Sequence, residues 1–278
     1  MTLTINPVAF KLGNLSVKWY GVIMAVAIIL AVSMAIIEGR KRQIESDDFM
    51  DLLLWAVPIG YIGARIYYVI FEWDYYSQHL DQIIAIWNGG IAIYGGLLAG
   101  LAVLLVFCYK RMLPPFLMLD VITPGVMAAQ ILGRWGNFIN QEAHGEPTTL
   151  AFLQSLHLPN FIISQMKIGG IYYQPTFMYE SFFNLIGLLI ILFLRHKKHL
   201  FKQGEIFMLY LAWYSVVRFF VEGMRTDSLY LMGSIRVSQM LSVILLVVVI
   251  CLFIYRRRVV KPKWYLDGSG LKYPYSRD

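Results

Sequence analysis

Length, composition and charge exclude several classes of protein before any motif is considered. The chain has 278 residues, of which 58% are apolar and 15% charged, whereas a soluble globular domain is about 25% charged. A mean hydropathy of +0.60 therefore excludes an ordinary soluble domain. The 17 Phe, 18 Tyr and 7 Trp exclude a disordered chain, and two cysteines cannot form a disulfide scaffold.

Taken in chain order, the long apolar runs predict seven membrane-spanning helices. Each run holds about 20 mostly apolar residues, which is the length needed to cross a bilayer. The predicted spans are residues 17–37, 51–71, 88–109, 116–138, 176–195, 205–224 and 236–255. The first basic cluster follows the first apolar run, which argues against a cleavable signal peptide. We therefore predict an all-α integral membrane protein with about seven transmembrane helices, in which residues 1–278 form a single polytopic domain.

The basic residues lie in alternate connections between these spans. Sixteen of the 24 lysines and arginines follow the first, third, fifth or seventh span. The positive-inside rule assigns such connections to the cytoplasm, so the N-terminus is predicted outside and the C-terminus cytoplasmic. The net charge of +7 then reflects topology and not nucleic-acid binding.

Two segments outside the spans are long enough to have their own structure. Residues 139–175 are predicted to be an outer-face loop or a small cap, because their apolar side chains suit packing on the bilayer or on the protein body. Residues 256–278 are predicted to form a cytoplasmic basic tail.

Several ionisable and amide side chains fall inside or beside the apolar spans, where charge is costly and normally faces a partner, water or a ligand. In the sixth span Arg218, Glu222 and Arg225 are spaced i, i+4 and i+7, so they share one helix face. One interpretation is a self-neutralising ion pair that holds helices together. The other polar candidates are Arg65, Arg134, Asn137, Asn140 and Glu142.

The predicted topology places these groups near the outer face, together with Tyr20 and Tyr94 at the outer starts of their spans. Four arginines stand against three acids, Glu142, Glu180 and Glu222, which predicts positive charge available to an anion. A phospholipid phosphate is the nearest anion, and a planar guanidinium group binds it bidentately.

The sequence lacks the residues that metal-dependent catalysis or serine hydrolysis would need. No His-Glu-x-x-His or Cys/His cluster predicts a metal site, so we expect no metal and no cofactor. The sequence contains no Gly-x-Ser-x-Gly motif, so it does not predict a serine hydrolase. His144 is open to two interpretations, a binding role beside the polar cluster or an ordinary surface histidine.

One segment carries a specific motif. Residues 133–145 read Gly-Arg-Trp-Gly-Asn-Phe-Ile-Asn-Gln-Glu-Ala-His-Gly, and they resemble the signature of the prolipoprotein diacylglyceryl transferase family. Supporting stretches occur in the family's order along the whole chain: Trp19-Tyr20-Gly21, Gly63-Ala64-Arg65, Tyr94-Gly95-Gly96, Gln174-Pro175-Thr176, Tyr179-Glu180 and Arg218 through Arg225.

This resemblance implies a transferase of lipoprotein biogenesis in the cell membrane, with its active site toward the extracytoplasmic face. It implies transfer of a diacylglyceryl group from phosphatidylglycerol to the lipobox cysteine thiol of preprolipoproteins, with release of glycerol phosphate. By the same resemblance, the catalytic residues would be Arg134, Arg218, Glu142 and Tyr94. The substrate-binding residues would be Tyr20, Arg65, Asn137, Asn140, Gly145, Glu222 and Arg225.

The chain departs from the family pattern at one position. Some members carry a histidine where this chain has Tyr94, and that histidine is the base assigned to the thiol. Here Tyr94 or Glu142 would have to assist deprotonation. A lipid or anion transporter with the same arginines is the alternative from another class, but it should show internal repeats or polar groups on both sides of the midplane.

Overall fold

The structure, a computed structural model, describes residues 5–13, 15–225, 230–231 and 235–271. Seven helices in these ranges are long and apolar enough to cross a membrane. They are α1 (Trp19–Lys41), α2 (Ser46–Phe71), α4 (Ile93–Arg111), α5 (Pro115–Asn140), α8 (Thr176–Leu194), α9 (Glu205–Gly223) and α10 (Val237–Tyr255). The predicted all-α membrane fold with about seven spans is therefore confirmed, while the orientation of its termini stays a prediction.

Outside the seven long helices, the described residues form three short α-helices and seven short strands. The helices are α3 (Trp73–Tyr76), α6 (Leu150–Ser155) and α7 (Asn160–Gln165). The strands are β1 (Val8–Leu12), β2 (Leu15–Lys18), β3 (Pro147–Thr148), β4 (Lys167–Ile168), β5 (Ile171–Tyr173), β6 (Tyr230–Leu231) and β7 (Ile235–Arg236). They pair as the hairpin β1–β2, the three-stranded sheet β3–β5–β4 and the hairpin β6–β7, all antiparallel.

Contacts divide the chain into two compact units. The first unit contains Met1–Ala35 and Leu119–Asp267, and the second contains Ile36–Met118 and Gly268–Asp278. The prediction of one polytopic domain over residues 1–278 stays a prediction.

In the first unit, α5 lies against α8 and α9 through polar contacts inside the helical bundle. Ser181 of α8 donates a hydrogen bond to the Ile131 carbonyl of α5 at 3.3 Å. The buried Asp120 carboxylate accepts from the backbone N–H groups of Gly204 at 2.6 Å and Phe207 at 2.8 Å, so it caps the start of α9. These contacts fix the mutual position of the three helices along their length.

Residues 141–175, which we call the cap, form a small folded layer on the ends of α5 and α8. Its core consists of Phe138, Leu153, Ile162, Ile163, Met166 and Phe177, all less than 9% exposed. Phe138 and Phe177 belong to α5 and α8 and stack at 4.5 Å between ring centroids. The cap is therefore anchored to the two helices by shared aromatic packing.

The segment after α10 docks on the connection between α8 and α9. The backbone N–H of Tyr265 donates to the Phe201 carbonyl at 2.9 Å, and that of Gln203 donates to the Lys263 carbonyl at 3.0 Å. The Tyr265 side chain is fully buried. The basic tail predicted at 256–278 is thus folded against the protein up to residue 267, and residues 272–278 lie outside the described residues.

In the second unit, α2 and α4 pack closely where both carry glycine. A Cβ atom on Gly63 would lie 2.9 Å from the Gly95 carbonyl oxygen, so the two backbones approach within the space that a side chain would fill. This is the small-residue packing that membrane helices use in place of a hydrophobic driving force.

Candidate functional site

One carboxylate in the first unit joins two arginines that are 84 positions apart in the chain. Glu180, in the second turn of α8, is 2% exposed. Its Oε1 accepts a hydrogen bond from Arg134 of α5, and its Oε2 lies 3.5 Å from Nη1 of Arg218 of α9. Helices α5, α8 and α9 therefore converge on a single charged group at their cap-side ends.

Each arginine has a second partner that fixes its orientation. Arg134 donates from Nη1 to Asn137 Oδ1 at 3.4 Å, one turn further along α5. Arg218 lies 2.5 Å from Glu222 Oε2 through Nη2, the i,i+4 contact that the sixth-span spacing predicts. The side chains of Arg134 and Arg218 remain 21% and 16% exposed, whereas both glutamates are 3% exposed. The two carboxylates are thus more buried than the guanidinium groups, which remain partly exposed to solvent.

A closed-down crevice lies beside this array, and the gaps between its lining atoms together with the open solvent at its mouth amount to about 180 Å³. Its lining consists of Arg134, Asn137, Ala143, Thr176, Phe177, Glu180, Val221 and Arg225. Among the described residues, the guanidinium groups of Arg134, Arg218 and Arg225 lie at or beside the crevice with the carboxylates of Glu180 and Glu222. Guanidinium groups with remaining access to solvent suit an anion.

The signature segment closes the crevice on the cap side, and its final glycine is required by close packing. Gly145 is buried, and a Cβ atom there would lie 2.8 Å from Gln174 Cβ, 2.9 Å from Thr176 Cγ2 and 3.1 Å from the Met224 carbonyl oxygen. Its N–H donates to the Gln174 carbonyl at 3.0 Å, and it bridges Arg225 in antiparallel fashion. Gly145 therefore joins the end of α9 to the start of α8.

Two further residues of the predicted site lie on the first unit's helices. The Tyr20 ring packs over Gly136, where a Cβ atom would approach it to 2.7 Å, and the tyrosine is 38% exposed. Asn140 is the last residue of α5. Glu142 is exposed, and Arg134 pairs with Glu180 and Asn137 in its place.

Arg65 and Tyr94 belong to the second unit. The Arg65 guanidinium donates to the carbonyls of Gln82, Ile83, Gly89 and Gly90 at 2.6 to 2.8 Å, and it lies 5.1 Å over the Tyr76 ring. Four of its five N–H donors are thus used to hold the 82–90 loop, a geometry that favours a structural role over substrate binding. Tyr94 is the second residue of α4 and is 42% exposed.

Two residues that shape the site were not predicted as site residues. Glu180 was predicted only as one of three acids and as part of the Tyr179-Glu180 motif, although an acid inside an apolar span was a usable signal. Gln165 of the cap is 1% exposed, and its amide donates to the carbonyls of Phe138 at 3.3 Å and Ile139 at 3.0 Å. It caps the end of α5, and nothing in its local sequence indicated this.

The described residues contain no group of three or more His, Cys, Asp or Glu side chains that could hold a metal ion. The charged groups of the site are guanidinium and carboxylate. This arrangement can bind and stabilise an anion by charge-assisted hydrogen bonds.

The fold and the site define a class of protein: a multi-pass helical membrane protein whose polar site is built from arginines and glutamates on three spans. The family model for prolipoprotein diacylglyceryl transferase matches residues 7–255, and the chain belongs to that family. The resemblance found in the signature segment is thereby confirmed.

Relatives that carry one and the same name match the chain over nearly its whole length. The chain is 81% identical over 276 residues to the phosphatidylglycerol–prolipoprotein diacylglyceryl transferase of Lactobacillus acidophilus, which covers 99% of each chain. It is 74% identical over 277 residues to the protein of the same name from Lactobacillus delbrueckii subsp. bulgaricus, covering 100% of both. A relative of the same name from Pediococcus pentosaceus is 54% identical over 276 residues, covering 98% of this chain and 99% of its own.

Proposed function

We propose that this chain transfers the diacylglyceryl group of phosphatidylglycerol to the thiol of the lipobox cysteine in preprolipoproteins. The product is a thioether, and glycerol phosphate is released. Family membership makes the chain a transferase of lipoprotein biogenesis. The structural observation that supports the chemistry is the convergence of Arg134 and Arg218 on Glu180 beside the crevice.

The charge of the site fits the reaction. The phosphodiester of phosphatidylglycerol carries one negative charge, and the described residues at the crevice include the guanidinium groups of Arg134, Arg218 and Arg225. As the thiolate attacks the glycerol carbon and the C–O bond breaks, the phosphate becomes a monoester and gains a second negative charge. Arginines stabilise this charge more in the transition state than in the ground state, and such differential stabilisation accelerates the reaction.

The contacts support a role for each residue of the site. Arg134 and Arg218 hold the phosphate, and Glu180 with Asn137 and Glu222 keeps their guanidinium planes in place. Arg225 lines the crevice beside them, and Gly145 keeps the α8–α9 junction closed. By the family resemblance, Tyr20 and Asn140 would bind substrate, and Tyr94 or Glu142 would assist the thiol.

We further propose the cell membrane as the location and the extracytoplasmic face as the side on which the site opens. The support is the distribution of basic residues, which puts the α8–α9 connection and the segment after α10 in the cytoplasm. The cap and the arginine site lie at the opposite ends of the same helices.

The test is a mass measurement on a lipobox peptide incubated with the purified full-length chain and phosphatidylglycerol in detergent. We expect the peptide to gain one diacylglyceryl group, and a peptide with serine in place of the cysteine to gain none. An unchanged cysteine peptide in the presence of correctly folded protein would overturn the proposed function.

A further inference from the structure

The connection between α2 and α4, residues 72–92, carries large apolar side chains that are exposed. Ile84 and Trp87 are 75% and 78% exposed, and Ile91 is 50% exposed. No residue from Ile83 to Ile93 is charged. Exposed apolar residues concentrated in one surface mark a contact with another protein, a ligand or a membrane. We therefore expect this surface to have a partner.

The connection is held against α2 by hydrogen bonds to its backbone. The guanidinium group of Arg65 donates at 2.6 to 2.8 Å to four carbonyls of the connection, those of Gln82, Ile83, Gly89 and Gly90. The Ala92 N–H donates to the Ala64 carbonyl at 3.0 Å. Non-helical backbone lies next to lipid only where the protein satisfies its polar groups in this way. Arg65 therefore makes the connection compatible with a lipid environment.

Helix lengths indicate the depth of the connection relative to the bilayer. Helix α4 has 19 residues, so at about 1.5 Å per residue it is about 28 Å long, close to the roughly 30 Å of the hydrocarbon core. The Ala92–Ala64 hydrogen bond places the start of α4 level with Ala64. Helix α2 continues through residues 65–71, a further rise of about 10 Å. Because α4 has little length to spare, its start lies at the edge of the hydrocarbon core, and residues 65–71 rise through the headgroup layer.

Acidic and apolar residues are separated along the connection. Glu72, Asp74 and Asp81 are exposed and lie in its first half, whereas its uncharged second half returns from the end of α2 to the hydrocarbon edge. The connection contains no lysine or arginine. Its two tryptophans, Trp73 and Trp87, are both exposed, and tryptophan is enriched at the boundary between lipid and water. This distribution suits a surface with water on one side and lipid on the other.

We propose that residues 83–91 lie in the headgroup layer of the leaflet at the C-terminal end of α2, with Ile84, Trp87 and Ile91 inserted against the lipid. The partner of this surface is the bilayer itself, because the lengths of α2 and α4 bring the headgroup layer to it. Apolar area buried at the boundary supplies the binding energy. The proposal goes beyond the proposed function and does not depend on the transfer reaction.

The test uses an environment-sensitive nitrobenzoxadiazole fluorophore on single cysteines in the full-length chain, in phospholipid nanodiscs and in a background without native cysteines. The positions in the connection are Ile84→Cys and Trp87→Cys. His157→Cys, at an exposed residue of the cap, is the water control. Leu101→Cys, at a partly exposed residue in the middle of α4, is the control within the hydrocarbon core.

We expect the probes at positions 84 and 87 to emit at shorter wavelength than the probe at 157 and to be quenched by iodide roughly threefold less. A lipid nitroxide close to the headgroup should quench them more than a nitroxide near the end of the acyl chain. The probe at position 101 should show the reverse preference. Thermal unfolding of each labelled variant confirms that it is folded.

Two results would overturn the proposal. Iodide quenching at positions 84 and 87 equal to that at 157, without quenching by lipid nitroxides, would place the connection in water. Protection from iodide without quenching by either nitroxide would show that protein, such as a second copy of the chain, covers the surface in place of lipid.

Discussion

At the residue scale, the site depends on Glu180, which balances two guanidinium groups at the ends of three helices. The carboxylate is 3% exposed and meets Arg134 on one oxygen and Arg218 on the other. A buried charge of this kind is tolerated only when it is paired, and its removal leaves two cations facing each other. Glu180 therefore contributes both to stability and to the position of the arginines.

Replacing Glu180 by glutamine keeps the shape of the side chain and removes its charge. We expect the free energy of unfolding to fall by about 3–5 kcal/mol, because the paired arginines lose their counter-charge. Transfer of the diacylglyceryl group should fall with it, because the arginines no longer have a fixed geometry. Thermal unfolding in detergent and the peptide mass measurement check both effects. Glu72→Gln is the control at an exposed glutamate to which no role in the site is assigned, and equal behaviour of the two variants would contradict the role of Glu180.

Replacing Arg134 or Arg218 by lysine keeps the charge but removes the planar fork that binds a phosphate bidentately. Loss of one charge-assisted hydrogen bond, worth about 1.5–3 kcal/mol, predicts a decrease in transfer of about 10- to 100-fold. Arg111→Lys, at a half-exposed ion pair with Asp51 in the second unit, should retain activity. Initial rates of transfer with purified proteins measure the effect. A wild-type rate for both site variants would contradict the proposed role of these arginines in phosphate binding.

At the scale of elements, the apolar runs predicted the helices closely, while the contacts between helices could not be predicted. The predicted spans 176–195 and 205–224 correspond to Thr176–Leu194 and Glu205–Gly223. The second span was predicted from residue 51, but the helix begins at Ser46, because Asp47 and Asp48 lower the hydropathy without ending the helix. Hydropathy reports burial in lipid and does not detect a polar first turn.

Local sequence patterns predict contacts within one helix but not contacts between helices, as Glu180 shows. The spacing within α9 predicted the Arg218–Glu222 contact, because residues four apart share a helix face. The Arg134–Glu180 pair joins α5 to α8, and no spacing rule relates helices that pack by tertiary contacts. Glu142 lies two residues beyond the end of α5 at Asn140, and it was predicted from its place in the signature segment.

The junction between the cap, α8 and α9 depends on Gly145 having no side chain. In a Gly145→Ala variant the new methyl group would press on Gln174, Thr176 and the Met224 carbonyl at 2.8 to 3.1 Å. Two of these groups belong to the backbone or lie next to it, so we expect the junction to open and transfer to fall about tenfold or more. Gly100→Ala is the matched control, since a Cβ atom there has no neighbour within 4 Å. Wild-type transfer by Gly145→Ala would show that the junction is not needed.

At the scale of the whole molecule, the account requires the cap and the α8–α9 connection to face opposite sides of the membrane. His157 is exposed in the cap, and Lys198 is exposed in the connection. In a background without native cysteines, His157→Cys should react with a membrane-impermeant maleimide in intact cells. Lys198→Cys should react only after permeabilisation. The reverse pattern would place the arginine site on the cytoplasmic side and contradict the proposed orientation.

In the proposed reaction, Arg134 and Arg218 together bind the phosphate of phosphatidylglycerol. The most direct measurement is an electron cryomicroscopy structure of the full chain in nanodiscs made of this lipid. We predict density for a lipid phosphate within about 3 Å of both guanidinium groups, the distance of a charge-assisted hydrogen bond. A lipid headgroup bound elsewhere, with both arginines still paired only to Glu180 and their neighbours on α5 and α9, would contradict the claim.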